Sequence, residues 1–217
     1  MISPPIPANE AERLLTLNQF DIFNSESDER FDRITRVVAA VFDMPIAMVN
    51  LIGPDTQVSK SCFGIPSGGE MERGVSFCGH TILSDQPLIV EDALKDERFA
   101  DNPNVTSGLK VRAYAGIPLR AVNGTHPGAL CMIDTKPRKF SQEEINLLTD
   151  LAAWAEIELN SSQLREALDE VNKSRHELAE QLAETTRLNE LMVGRELKMV
   201  EMKKQIADLT AQLHNSH

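Results

Sequence analysis

The side chains best suited to chemistry are three cysteines, Cys62, Cys78 and Cys131, and a histidine two places after the second of them, His80. A thiolate is a nucleophile and a soft metal ligand, and an imidazole is an acid, base or ligand near neutral pH. Spacing limits the pair. Ser76-Phe-Cys-Gly-His-Thr-Ile-Leu83 reads as a short helix, and residues two apart on a helix do not share a face. With no other Cys or His close by, the pair makes a poor metal site, and none is expected. The plain reading is a small buried thiol and a His bonded to backbone or a carboxylate; the other is that both line a pocket. Cys62 and Cys131 fall on segments that read as strands, as buried, inert thiols. Asp92, Arg112 and Tyr114 stand at strand ends or in loops, suited either to a small polar ligand or to ordinary surface ion pairs. The sequence carries no phosphate loop, zinc tetrad, dinucleotide fingerprint or hydrolase triad, so the chain is not expected to be an enzyme.

The elements that must position these residues follow from apolar spacing. Asn9 with Glu12 has a capping-box pattern, and residues 9–23, with Leu14, Leu15, Leu17 and Phe20, predict a first helix. The polar run Asn24-Ser25-Glu26-Ser27 offers the cap of a second. There Phe31, Ile34, Val38, Val41 and Phe42 recur at three and four on one face, and Pro45 ends it. Residues 46–52 are apolar and β-branched, a buried strand, with 56–63 as hairpin partner across Gly53-Pro54-Asp55. Residues 64–69 read as an exposed loop, 87–91 as a short strand, and 95–107 as polar chain with one more helical turn. Two more strands, 113–121 and 127–134, meet at Val122-Asn123-Gly124-Thr125, and Asn-Gly is a strong hairpin signal. Ser141 with Glu144 is a second capping box, followed by the helical stripe Ile145, Leu148, Ala152, Ala155 and Leu159. Hairpins dominate, so the fold class is α+β: an antiparallel sheet of about five or six strands with helices on its faces.

With 41 % apolar and 25 % charged residues, the 217-residue chain has enough core-forming material to fold over most of its length. Its longest apolar runs, such as Ile46-Ala47-Met48-Val49, fall far short of the roughly 20 residues of a membrane helix. The opening Met-Ile-Ser-Pro-Pro-Ile-Pro has no basic start and no apolar core, so no secretory signal is expected. An odd number of widely spaced cysteines fits free thiols in the cytoplasm. Net charge is −11, and residues 1–159 hold 14 basic against 23 acidic groups. Such a surface repels phosphate backbones, and no nucleic-acid partner is expected. Composition breaks near residue 160: beyond it lie no proline, no aromatic and one glycine, Gly194. The expected organisation is a mixed domain over 1–160 and a helix over 161–217.

Several segments of the first part together resemble the GAF family of sensory domains. They are Phe31-Asp-Arg-Ile34, Pro45-Ile-Ala-Met-Val-Asn-Leu-Ile52, Ser76-Phe-Cys-Gly-His-Thr-Ile-Leu83, Val90-Glu-Asp-Ala93 with Asp96-Glu-Arg-Phe99, Tyr114-Ala-Gly-Ile-Pro-Leu119 and Gly128-Ala-Leu-Cys-Met-Ile-Asp134. Their order and spacing fit over roughly residues 10–160. The resemblance implies a ligand-sized pocket on one face of the sheet, a helical dimerisation face on the other, and a regulatory role. The pocket candidates are then Cys78, His80, Asp92, Arg112 and Tyr114. No cofactor is assigned. Gln57-Val58-Ser59 stands where many relatives carry an aromatic after the Gln. Some bilin-binding relatives attach a pigment through a Cys next to a His, but here Gly79 intervenes. Some stand-alone relatives reduce free methionine sulfoxide through a reactive Cys; their local cysteine pattern is not seen.

The last segment carries a seam. Leu164, Leu168, Val171, Arg175, Leu178, Leu182 and Thr185 alternate spacings of four and three. So do Leu188, Met192, Arg195, Met199, Met202, Ile206, Leu209 and Leu213. The steps 182–185–188 form a stammer, which overwinds a coiled coil, and Gly194 lies nearby. A stripe with no core of its own needs a partner helix, and a second copy in a parallel dimer is the nearest candidate. Ser174-Arg-His176-Glu-Leu178 resembles the phosphoacceptor box of histidine kinases, with Ala179-Glu180-Gln181 in place of Arg-Thr-Pro. His176 falls beside the seam and is expected to face water. The functional expectation is a cytoplasmic sensor that dimerises through its N- and C-terminal helices and signals to a separate histidine kinase or cyclic-dinucleotide enzyme. The alternatives are a redox enzyme acting on free methionine sulfoxide and a ligand-free dimerisation scaffold.

Overall fold

The computed structural model describes residues 1–20, 28–66 and 69–214. It divides into two compact units, Met1–Leu164 and Arg165–His217. Two helices open the chain, α1 (Glu10–Asn18) and α2 (Glu29–Phe42). The strands are β1 (Ile46–Ile52), β2 (Thr56–Phe63), β3 (Glu70–Glu72), β4 (Leu88–Val90), β5 (Ala113–Leu119) and β6 (Gly128–Asp134). Short helices α3 (Phe77–Thr81) and α4 (Pro103–Thr106) interrupt them, and α5 (Gln142–His214) closes the chain. The six strands form one antiparallel sheet in the order β3-β2-β1-β6-β5-β4. The fold class is α+β, as the hairpin-rich sequence predicts.

Strand alternation splits the core in two. Ala47, Val49, Leu51, Ala115, Ile117, Leu119, Leu130 and Met132 face one way. There they meet Leu17, Phe31, Ile34, Val38 and Phe42 of α1 and α2 and Leu148, Ala152, Ala155 and Leu159 of α5. Ile46, Met48, Ile52, Tyr114, Ala129, Cys131 and Ile133 face the other way, against Phe77 and Cys78 of α3 and Phe99 and Val105 of the following loop and α4. The period of two in a strand makes this division obligatory once the register is set. A bulge interrupts the β1–β2 pairing: Val49 lies opposite Ser61 and Asn50 opposite Ser59, leaving Lys60 as the extra residue.

Four expectations are corrected. β3 is absent from the sequence reading. Its Glu-Met-Glu carries no strand signal and is a strand only because it pairs with Thr56, Gln57 and Val58. Val41 is 53 % exposed rather than part of the buried face, which Thr35 and Ala39 complete instead. The run Asn24–Ser27 lies outside the described residues; α2 is capped by Asp28, whose carboxylate accepts from the Arg30 amide at 2.9 Å. The Asn9–Glu12 capping box does not form: Asn9 sits at φ −98°, ψ 23° and makes no side-chain cap bond. The Pro7 carbonyl instead accepts from the Glu10 amide at 3.1 Å.

An unpredicted polar clamp holds α1. Glu10 accepts from Arg13 Nε and Nη2, both at 2.8 Å, and from Arg73 Nη1 at 2.5 Å. Arg13 also reaches the Ile52 carbonyl and Arg73 those of Gly53 and Pro54, so the cluster ties α1 to the β1–β2 turn. Burial alone would raise the Glu10 pKa, but the two guanidinium groups override it and bring it down to about 2.

Candidate functional site

The second face of the sheet contains a small cavity of about 20 Å³, room for one water-sized guest. Met48, Asn50, Gln57, Met71, Cys78, Tyr114 and Cys131 are among its walls. Two sulfurs meet in its wall: Cys78 Sγ lies 3.6 Å from Cys131 Sγ. Cys78 reaches this point because Ser76 caps α3, accepting from the Gly79 amide at 2.8 Å, while donating from the same hydroxyl to Gln57 Oε1. Cys131 reaches it from β6, in register with Met48 of β1.

Two side-chain donors converge on the Cys78 sulfur. Asn50 Nδ2 donates to its sulfur at 3.2 Å and Tyr114 OH at 3.3 Å, with the Cys131 thiol beside them. Asn50 is held in this orientation because Ser59 Oγ donates to its Oδ1 at 2.7 Å, turning the amide NH2 toward the thiols. Tyr114 OH also lies 2.6 Å from Thr81 Oγ1, a hydroxyl that donates to the Phe77 carbonyl at 3.2 Å. Gly116 makes this possible. A Cβ there would sit 2.2 Å from Tyr114 OH, so only glycine lets the ring lie along β5.

These contacts set the proton affinities. The hydrogen bond from Cys131, with those from Tyr114 and Asn50, lowers the Cys78 pKa against the opposing effect of burial. Cys131, hydrogen-bonded to Cys78 and buried, is raised well above the usual thiol value, and burial does the same to Tyr114. The two thiols thus titrate as one unit in which Cys78 is the more acidic. Burial raises the half-buried Cys62 instead.

Of the five sequence candidates, Cys78 and Tyr114 line this cavity. His80 sits on α3 with Nε2 3.0 Å from the Ile2 carbonyl and its ring edge-on to Phe99 at 5.0 Å. Its partner is therefore the N-terminal arm, whose Pro4 packs so close to Gly79 that a Cβ would come within 2.8 Å. Asp92 pairs with Lys95 at 3.0 Å, and Arg112 donates to the carbonyls of Val105 and Val111 at 2.8 and 2.9 Å. These three are not among the cavity-lining residues. Asn50 escaped the sequence reading, although a lone amide inside the apolar run of β1 was its signal. Cys131 was legible as a buried thiol but not as the neighbour of Cys78. His176 is exposed on α5, 3.5 Å from Glu180. Among the described residues no group of three or more His, Cys, Asp or Glu is arranged to hold a metal ion. No helix among them is long and apolar enough to cross a membrane.

Comparison with known proteins places this geometry. The chain is similar to a cyclic di-GMP phosphodiesterase of Pseudomonas aeruginosa, 30 % identical over 171 residues, which is 78 % of this chain and 29 % of that protein. It thus spans under a third of the length of that curated relative. In fold it is similar to the blue-light absorbing form of the Thermosynechococcus elongatus PixJ GAF domain, with a TM-score of 0.55 at 14 % identity, covering 77 % of this chain and 96 % of that one. A second similar structure is the GAF domain of an Acinetobacter phosphoenolpyruvate-protein phosphotransferase, with a TM-score of 0.50 at 19 % identity, covering 69 % and 91 %. A model of the GAF domain matches residues 26–159, more than half of the chain and every strand of the sheet, and the chain belongs to the GAF domain family.

Proposed function

We propose that this chain is a non-enzymatic, cytoplasmic signalling module. In this reading the GAF unit senses a small guest, and α5 pairs with its copy in a parallel dimer and carries the signal to a separate output protein. The observation that carries it is the unpartnered seam. Leu168, Val171, Leu178, Leu182 and Met192 are between 52 and 67 % exposed. Burying such a side chain is worth about 1.5–3 kcal/mol, so a stripe this long favours a second helix strongly. Leu15 of α1 and Ile157 of α5, exposed at 66 % and 67 %, support a further dimer contact at the GAF unit. The likeness to a cyclic di-GMP phosphodiesterase supports an output enzyme of cyclic-dinucleotide type, with a histidine kinase as the alternative output. His176, solvated and 3.5 Å from Glu180, acts in this reading as a surface residue.

Sedimentation of the full chain at micromolar concentration is expected to give a dimer, and Leu178→Asp with Leu182→Asp a monomer. A monomeric wild-type chain overturns the reading. Gly194 has open space where a Cβ would go, so Gly194→Ala removes a helix cost of about 0.5–1 kcal/mol without a clash. It is expected to raise the melting temperature of the dimer and to weaken the response of any output coupled through the helix.

A further inference from the structure

The cavity holds a dithiol that the proposed signalling role does not use. We infer that Cys78 and Cys131 are the reactive and resolving cysteines of a hydroperoxide-oxidised pair, so that the guest of the cavity is a small hydroperoxide and the product is an internal disulfide joining α3 to β6. The chemistry stands apart from the signalling role; only its use as a signal rests on that reading.

Geometry carries the inference. The two sulfurs are 3.6 Å apart, in van der Waals contact and a short movement from the roughly 2.05 Å of a disulfide. Asn50 Nδ2 and Tyr114 OH aim at Cys78 Sγ and stabilise negative charge on it. Cys131 also hydrogen-bonds with Cys78 and Tyr114, but the amide of Asn50 lies farther from it, at 3.6 Å against 3.2 Å to Cys78. The asymmetry assigns the roles: Cys78 is the nucleophile and Cys131 the second thiol. The lowered proton affinity of Cys78 agrees. The cavity beside the thiols has room for a guest of about water size, which favours the smallest hydroperoxides. Cys62 is set apart: it and Cys131 are both in register with Met48, on opposite neighbouring strands. Two strand spacings, about 10 Å, forbid their pairing.

The steps balance. The Cys78 thiolate attacks one peroxide oxygen; the S–O bond forms, the O–O bond breaks, and the leaving oxygen takes a proton to become an alcohol or water. The Cys131 sulfur then attacks the Cys78 sulfenic acid. The S–S bond forms, the S–O bond breaks, and hydroxide leaves as water with the proton from Cys131. Two thiols lose two electrons, and the hydroperoxide gains them.

The three cysteines lie in different tryptic peptides, 61–73, 74–95 and 121–138, so the outcome can be read directly. Full-length protein is treated with hydrogen peroxide, blocked with an alkylating agent and mapped without reduction. The expected result is peptides 74–95 and 121–138 joined, with 61–73 alkylated. In Cys131→Ser, a sulfenic-acid probe is expected to label Cys78. In Tyr114→Phe the same disulfide forms about fivefold more slowly, as loss of one hydrogen bond to the thiolate implies. Cys62→Ser is expected to behave as wild type. The inference is overturned if Cys62 oxidises first, if Cys78 and Cys131 stay alkylatable once exposed peptide thiols have reacted, or if the wild-type Cys78 stops at a higher acid without pairing. Sedimentation reads the helix and the peptide map reads the cavity, so failure of one leaves the other standing.

Discussion

The two faces of one sheet are built to different rules. The first face, under α1, α2 and the start of α5, is filled mainly by aliphatic and phenyl side chains, with one short polar link in which Thr35 Oγ1 meets Ser61 Oγ at 2.7 Å and Ser61 donates to Asp32. The second, under α3 and α4, is built from the same strands one residue out of phase. It holds Asn50, Ser59, Tyr114, Cys78 and Cys131 in a connected network around a cavity. A packed apolar face gains stability from every contact, whereas a satisfied polar network gains little and specifies geometry. Stability therefore resides mainly on the first face and selectivity on the second. The bulge at Lys60 joins them, because it lets β2 place Ser59 opposite Asn50 without losing its pairing with β1.

The sharpest way to break this contrast is to remove volume from the first face. Phe31 is fully buried at the centre of that cluster. Phe31→Ala is expected to cost about 3–5 kcal/mol in a denaturant titration. Asn50→Ala, on the second face, is expected to cost about 1–3 kcal/mol, the price of leaving the Ser59 hydroxyl without its acceptor. Equal losses would show that the two faces share the load.

The Glu10 clamp is the exception on the α1 side, a charge cluster beside the apolar face. Its carboxyl titrates at about 2 in the folded chain against 4.5 when unperturbed. A lowered folded pKa means that protonation favours unfolding. The contribution is complete above about pH 4.5 and is lost progressively as pH falls toward about 2. Glu10→Gln is expected to lose about 2–3 kcal/mol at neutral pH, because Arg13 and Arg73 are left buried without their counter-charge. The variant's stability should change less than wild type's between those pH values. An unaltered acid profile would remove the clamp from the account.

What was legible in the sequence divides along the same lines. Strand β1 stands where its apolar, β-branched run predicts, since a buried strand must advertise its burial, and β2 stands where the turn chemistry of Gly53-Pro54-Asp55 places its hairpin partner. The cavity did not show, because its walls come from residues as far apart as 50, 78, 114 and 131 and are joined only by the register of four elements. Cys78 and Tyr114 were visible as residue types; their separation was not. The two capping boxes show the limit at short range. At Ser141 the box closes: the Glu144 amide donates to Ser141 Oγ at 3.1 Å, and the Ser141 amide donates to Glu144 Oε2 at 2.8 Å. At Asn9 the same pattern fails, because Pro7 holds the turn and the Glu12 carboxylate accepts from Asn123 Nδ2 at 3.3 Å. Ser141→Ala is expected to cost about 1 kcal/mol, and Asn9→Ala a few tenths, in paired denaturant titrations.

The smallest effect sharpens the second face. In the neutral form that accounts for its bond, His80 carries its proton on Nε2 and donates it to the Ile2 carbonyl at 3.0 Å. Burial, followed by the field of Arg98, outweighs that bond and the Asp96 charge and lowers its pKa from the ordinary 6.5. The unfolded chain thus binds the proton more tightly than the folded one. The stabilising contribution is intact above about pH 6.5 and falls away as pH drops through the lowered folded value. This window opens about two pH units above that of Glu10, so the two slopes separate in one titration of stability against pH. His80→Gln keeps a donor for Ile2 and removes the titration. It is expected to flatten the upper slope and leave the lower one unchanged. A surviving upper slope would assign it to another group and detach the N-terminal arm from the pH response of α3.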